Sequence, residues 1–313
     1  MEKRTLLQHH ITSGRFTLPV CITASALLWW LDDGASPLNI AGWAVCLLTT
    51  YVLAETDNVQ QLIRVRSRML CCVWLFVASS VVFLHPLMKV QLPALCLSAS
   101  YYLLFRCYQR YEPVVDVFHC FLFQSVGSLL FPPMLVLSIP MLIYLWRLMF
   151  VRSWRTFWAF VLGLALPYIV WSSWCVLTGH FEPLIAHFLP LYHVPQFETA
   201  IYRNLFSPDL LPFALISMLM LLGAIHHLTT SFADKIRVRH MLRVFIFQSL
   251  LFMALPAVLP ESLPTLTSLL LVSSAPLIAH FFSLVENRFT NILFCIVLLA
   301  FLVLAFLPYL LSL

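Results

Sequence analysis

The sequence predicts an all-α protein, a polytopic transmembrane helix bundle of about eleven spans with its N-terminus in the cytoplasm and its C-terminus outside. Three observations predict it. Of the 313 residues, 62% are hydrophobic and only 10% are charged, whereas soluble domains carry about 25% charged residues. A chain this poor in polar side chains cannot cover itself in water, so hydrocarbon must meet most of its outside. Apolar residues also gather in eleven runs of about 16–23 residues, enough to cross roughly 30 Å at 1.5 Å per residue. Finally, counted from a cytoplasmic N-terminus, 16 of the 18 Lys and Arg fall on the cytoplasmic side, with Lys89 and Arg203 outside. That is the asymmetry of the positive-inside rule, and moving the register by one span destroys it.

The runs follow in order. Lys3, Arg4 and Arg15 precede the first, 16–31, in the manner of a secretory signal. It ends in Trp29-Trp30-Leu31-Asp32-Asp33 with no small-residue cleavage site, so it reads as an uncleaved span. Gly34 and Pro37 turn the chain into 38–54. Glu55, Asp57 and Asn58 then open a basic loop, where a local ion-pair network with Arg64 is expected. The stretch 69–105 divides at His85-Pro86 into 69–85 and 90–105. Residues 113–149 lie between two basic loops and must cross an even number of times. They divide at Phe131-Pro132-Pro133 into 114–130 and 133–149, because proline lacks the N–H that continues a helix. Run 157–178 leads to the one sizeable outer segment, 179–209, too apolar for a free loop and kept from forming a long helix by Pro183, Pro190 and Pro195. It reads as a stretch in the outer interface or folded back over the bundle. Runs 210–228, 243–259, 264–284 and 290–311 complete the set.

Trp29, Trp30, Trp146, Trp154, Trp171 and Trp174 fall near span ends, as interfacial aromatics do. With only seven glycines, the bundle is expected to be packed by Leu, Phe, Ala and Ser. Ile63-Arg64-Val65-Arg66 and Ile236-Arg237-Val238-Arg239 form a short repeat before outward-going helices, open to reading as a parallel duplication or as convergence of basic loops. No soluble segment separates out, and residues 1–313 read as a single transmembrane domain.

Candidate chemistry gathers on the outer side. Asp32 and Asp33 are adjacent carboxylates just beyond the first span, suited to a divalent ion or a general base facing a lipid-linked substrate, or equally to a solvated turn. The 179–209 segment holds His187, His193, Glu198, Tyr202 and Arg203. Arg203 is suited to a phosphate or carboxylate, and the segment to a lid over substrate. Asp116 and His119 stand one helical turn apart at the start of a span, as an intramembrane polar pair or as a helix N-terminal carboxylate. His226-His227 and His280 read as histidines bonded to neighbouring helices. Nine cysteines, at 21, 46, 71, 72, 96, 107, 120, 175 and 295, show no CxxC or Cys/His ligand spacing. No metal and no cofactor is expected, and no nucleotide-binding or hydrolase motif is present.

One stretch carries a family resemblance. Gly127-Ser128-Leu129-Leu130-Phe131-Pro132-Pro133 is followed by Arg152-Ser153-Trp154-Arg155. Leu162-Gly163-Leu164-Ala165-Leu166-Pro167-Tyr168 comes next, and later Ser274-Ala275-Pro276-Leu277-Ile278-Ala279-His280-Phe281-Phe282. This order resembles an uncharacterised family of Bacteroidota inner-membrane proteins of similar length. The resemblance implies a multi-pass location in the bacterial cytoplasmic (inner) membrane and supplies no activity.

The expected partners are membrane lipid, a polyprenyl-phosphate-linked sugar, or other membrane subunits; no nucleic acid is expected. The leading expectation is a non-catalytic subunit or scaffold of an envelope complex. The alternatives are a transferase-like protein of lipid-linked glycan assembly acting at the outer face, and a transporter or flippase. Few glycines and few charges within spans disfavour the last.

Overall fold

The computed structural model describes residues 7–14, 16–33, 36–65, 67–192 and 210–311. Every regular element among them is helical. The α-helices are α1 Leu7–Ser13, α2 Thr17–Asp33, α3 Pro37–Gln60, α4 Met69–Ser80, α5 Leu92–Arg106, α6 Val114–Leu130, α7 Pro133–Arg147, α8 Trp154–Thr178, α9 Glu182–Tyr192, α10 Leu210–Thr230, α11 Ile236–Ala254, α12 Leu263–Leu284 and α13 Arg288–Leu311. Each of the eleven apolar runs coincides with a helix, and both proline breaks fall between helices.

Among the described residues, seven helical stretches are long and apolar enough to cross a membrane: Pro37–Gln60, Leu87–Arg106, Trp154–Thr178, Leu210–Ala233, Ile236–Ala257, Pro260–Leu284 and Arg288–Leu307. Four shorter apolar helices lie at Thr17–Leu31, Met69–Ser80, Val114–Leu130 and Pro133–Arg147. Large side chains such as Leu177 (82% exposed) and Phe289 (76%) cover the outer faces of the long ones. Exposed apolar surface on this scale suits lipid and not water.

The chain folds as two compact units, Met1–Gln91 with Glu198–Leu313, and Leu92–Phe197. The first is built round α12, which is 94% buried over its most apolar stretch and packs against α4, α10 and α11. Helix α12 is buried on nearly every side, its apolar residues interspersed with small hydroxyl side chains and His280. Its hydroxyls bond back within the helix, Thr267 to the Leu263 carbonyl and Ser273 to that of Leu269, so they bring no unmet polar demand into the core. Helix α4 has only 12 residues, 11 of them buried. Meeting almost no lipid, it need not match the bilayer thickness.

The basic loops of this unit meet at one end. Arg64 pairs with Asp234, Lys235 Nζ donates to Gln61 Oε1 and Arg237 donates to Gln60. Ser67 Oγ donates to the Thr12 carbonyl, and Ser283 Oγ donates to Ser67 Oγ. Helix α1 docks here through Gln8. Its Nε2 donates to the Phe282 and Val285 carbonyls at 2.6 and 2.8 Å, and its backbone N–H to Asn291 Oδ1 at 3.0 Å. These contacts satisfy carbonyls left open where α12 ends. The opposite end is held by Thr265 and Ser268, whose hydroxyls donate to the Lys89 and Val90 carbonyls.

In the second unit α6 is central, flanked by α5, α7 and α8. A Cβ on Gly163 would stand 2.6 Å from the Phe118 carbonyl oxygen, so α8 approaches α6 to backbone contact. Ser100 Oγ and Cys120 Sγ exchange bonds with each other's carbonyls between α5 and α6. The loops 107–113 and 148–153 share an end: Glu112 accepts from Ser153 Oγ at 2.8 Å and Arg155 Nη1 at 2.9 Å. Ser153 also opens α8 with a capping box completed by Thr156.

The structure corrects several expectations. Trp29 is fully buried and stacks on His85 at 3.9 Å; Trp30, Trp154 and Trp174 are the exposed tryptophans of the expected set. Arg64 finds its partner in Asp234, while Asp57 Oδ1 accepts from the Ile63 N–H. The two similar basic strings are not equivalent: Ile236 begins α11, whereas Ile63 precedes α4 by several residues of loop. Glycine also packs helices after all, at Gly163 and at Gly223, where an added Cβ would lie 2.7 Å from the Leu277 carbonyl oxygen.

Candidate functional site

Most of the sequence-predicted outer site falls outside the described residues: His193, Glu198, Tyr202 and Arg203 all lie within 193–209. Asp32 and Asp33 close α2, and their side chains are likewise not described. His187, in the second unit, lies on α9. Its Nε2 is 3.3 Å from Tyr168 Oη, which is 2.8 Å from Ser128 Oγ, and the Trp171 ring meets it edge-on at 5.1 Å. Burial pushes the His187 imidazole below its ordinary pKa, so a neutral ring fastens α9 to α8. Asp116 and His119 contact different partners. Asp116 is paired with Arg106 at 3.4 Å and Arg110 at 3.3 Å, while His119 Nδ1 lies 2.8 Å from the Val115 carbonyl oxygen of its own helix.

The densest buried polar chemistry among the described residues is at the basic end of the first unit. The last turns of α10 carry His226 and His227. A 3₁₀ turn over Ser231–Ala233 follows, closed by the Asp234 N–H donating to the Ser231 carbonyl at 3.0 Å. This turn folds Asp234 back beneath the end of α10 before α11 starts. Helix α12 brings His280 in from the other side, one turn after Pro276. The close approach at Gly223 sets the spacing: His227 lies one turn beyond Gly223 on the same face, as His280 does beyond Leu277.

The three side chains therefore converge. Asp234 and His280 are 0% exposed and His227 1%. Asp234 Oδ2 stands 3.4 Å from His227 Nδ1 and 3.5 Å from His280 Nε2, and the donor atoms of all three lie within 4.8 Å of one another. Both contacts stand at the outer limit of hydrogen-bond distance. Both ring nitrogens of His227, both of His280, and Asp234 Oδ2 have no hydrogen-bond partner among the described residues. The other oxygen of Asp234 accepts from Arg64 Nε at 2.5 Å. A carboxylate buried this deeply requires such a cation, and Arg64, 37% exposed, links it to solvent. His226 lies nearby, its ring 5.9 Å from that of His280.

Asp234 also lines a cleft of about 1190 Å³, with Arg64, Arg68, Lys235, Thr12, Asn58, Gln61 and Ser67 among the other walls. An apolar groove of about 250 Å³ lies in the same unit between Val20, Cys21, Phe76, Leu219, Phe294 and Phe301. Cleft and groove share helices: Thr12, Leu18 and Cys71 line the cleft, and their neighbours Ile11, Thr17 and Cys72 line the groove.

From the sequence, His226-His227 and His280 read only as histidines bonded to neighbouring helices, and Asp234 is not among the candidate residues. The signal was present in the topology. The expected spans put His227, Asp234 and His280 at the same end of neighbouring helices, and Asp234 is the one acidic residue of its basic loop. Comparison with known proteins finds no matching family model, curated protein or solved structure, so the site is read from its own residues.

Proposed function

We propose that the chain is a multi-pass protein of a bacterial cytoplasmic membrane, crossing it eleven times from a cytoplasmic N-terminus. In this reading its first unit binds an anionic lipid of the cytoplasmic leaflet, phosphate in the cleft and acyl chain in the groove. The observation that carries it is the sharing of helices between the polar cleft, walled by Arg64, Arg68 and Lys235 with Asp57 and Asp234, and the apolar groove. A lipid phosphate needs cations and hydroxyl or amide donors, and its chain needs dry apolar walls. In this reading the chain is a lipid-holding, non-catalytic subunit of an envelope assembly.

Thermal unfolding in a neutral detergent tests this. Phosphatidylglycerol should raise the midpoint more than phosphatidylcholine does, and Arg68→Ala with Lys235→Ala should abolish the difference. Equal responses of the unaltered protein to the two lipids would refute the reading.

A further inference from the structure

We infer that His227, Asp234 and His280 form a binding site for one divalent transition-metal ion in tetrahedral coordination, zinc being the preferred metal. The inference is independent of what enters the neighbouring cleft.

Distance is the first argument. Ligand atoms about 2.0–2.1 Å from a tetrahedral zinc ion are about 3.3 Å from one another. Asp234 Oδ2 is 3.4 Å from His227 Nδ1 and 3.5 Å from His280 Nε2, close to that edge. A cluster held together by charge-assisted hydrogen bonds would draw N and O to about 2.7–2.9 Å. An octahedral magnesium site, with bonds of about 2.0–2.1 Å, would set adjacent ligands about 2.9 Å apart. At 3.4 and 3.5 Å both contacts are longer than such hydrogen bonds, and all three ligand atoms lie within 4.8 Å of one another, a spacing that an ion between them would account for.

Unmet demand is the second. Buried imidazole nitrogens nearly always find a partner, yet all four ring nitrogens of His227 and His280, with Asp234 Oδ2, have none among the described residues. One ion would satisfy Asp234 Oδ2 and one nitrogen of each ring together. Donor chemistry then selects the metal, since two imidazoles and one carboxylate suit zinc or cobalt and not the hard, all-oxygen cations.

The surroundings supply the third. Metal-ligating carboxylates are themselves held by hydrogen bonds from outside the ligand set. Arg64 Nε does this on Asp234 Oδ1, leaving Oδ2 turned toward the histidines. Three protein ligands leave the fourth tetrahedral position to water or to a further donor. The ion would tie the ends of α10 and α12 to the turn that carries Asp234, and so brace one wall of the cleft.

The test uses the full-length protein, purified without a histidine tag in mild detergent, stripped with a chelator and dialysed against cobalt(II). About one cobalt per chain should be retained, with the intense visible bands of four-coordinate cobalt, and zinc should displace it. Asp234→Asn and His280→Gln should each weaken binding about 100-fold or more. Uptake well below one equivalent by the unaltered protein, or the weak spectrum of six-coordinate cobalt, would overturn the inference. So would an Asp234→Asn protein that binds as tightly as its parent. If either variant fails to fold, the cobalt spectrum of the unaltered protein decides the matter. No lipid is added at any stage, so failure here leaves the lipid reading standing, and the reverse also holds.

Discussion

At the scale of the residue, the ion pair between Arg64 and Asp234 is unequal, and the inequality predicts which substitution does more harm. Asp234 is fully buried, whereas the Arg64 side chain is 37% exposed. Removing the arginine strands a carboxylate without its counter-charge in the protein interior, the costly way to break a buried pair. Removing the acid leaves a guanidinium that can turn toward water. In chelator-treated protein, Arg64→Ala should therefore lower stability by about 2 kcal/mol, below the range for a wholly buried pair because the arginine is partly solvated. Asp234→Asn should cost less than half as much. Thermal unfolding followed by tryptophan fluorescence measures both, and equal losses would mean that the pair is far more hydrated than its burial indicates. Gln8 is a second residue whose importance was invisible in the sequence. Its partners are Phe282, Val285 and Asn291, almost a whole chain length away, and no periodicity connects them.

At the scale of the element, hydrophobic length and proline breaks located all eleven main helices, because the bilayer demands long apolar segments whose backbone is satisfied within the segment. The short elements escaped that reasoning. Helix α1 has seven residues, too few to announce itself by apolar length, and α9 lies in a segment expected only to be interfacial. The metal cluster escaped for a related reason: its residues are ordinary singly and acquire meaning only when two helices come close. Gly223 controls that closeness. A Cβ there would meet the Leu277 carbonyl oxygen at 2.7 Å and its Cβ at 3.2 Å. The first is backbone and cannot swing aside, so α10 and α12 must part. Gly223→Ala should cost about 1–3 kcal/mol, the usual range for an overpacked core. It should also weaken metal binding, because His227 rides on the displaced helix one turn away. Leu221→Ala, at a 39% exposed position on the same helix, provides the comparison and should leave metal binding unchanged. If Gly223→Ala binds cobalt as its parent does, the helix approach does not set the geometry of the cluster.

At the scale of the whole molecule, the remaining question is on which side of the membrane each loop stands. Within the first unit, hydrogen bonds and ion pairs join loop 61–68, the turn at 231–235, helix α1 and the end of α12 at one end. Within the second, Glu112 joins loop 107–113 to 148–153. These loops carry Arg64, Arg66, Arg68, Arg110, Arg152 and Lys235, six of the 16 basic residues assigned to the cytoplasm on charge alone. The four shorter apolar helices decide the number of crossings. If all four cross, the chain spans eleven times; if none does, it spans seven times. Both numbers are odd, so both set the termini on opposite sides, and a C-terminal tag alone cannot distinguish them. The loops can. Eleven crossings put 131–132 outside and 107–113 and 148–153 inside. With only the seven long helices crossing, α6 and α7 stay on one side and no change occurs across 107–153. Truncations fused after Glu112, Pro132 and Arg152 to alkaline phosphatase, active only outside, and to green fluorescent protein, fluorescent only inside, read this directly. The expected pattern is fluorescence, phosphatase activity, then fluorescence again. Fluorescence at all three would remove α6 and α7 from the spanning set and reduce the count to nine or fewer.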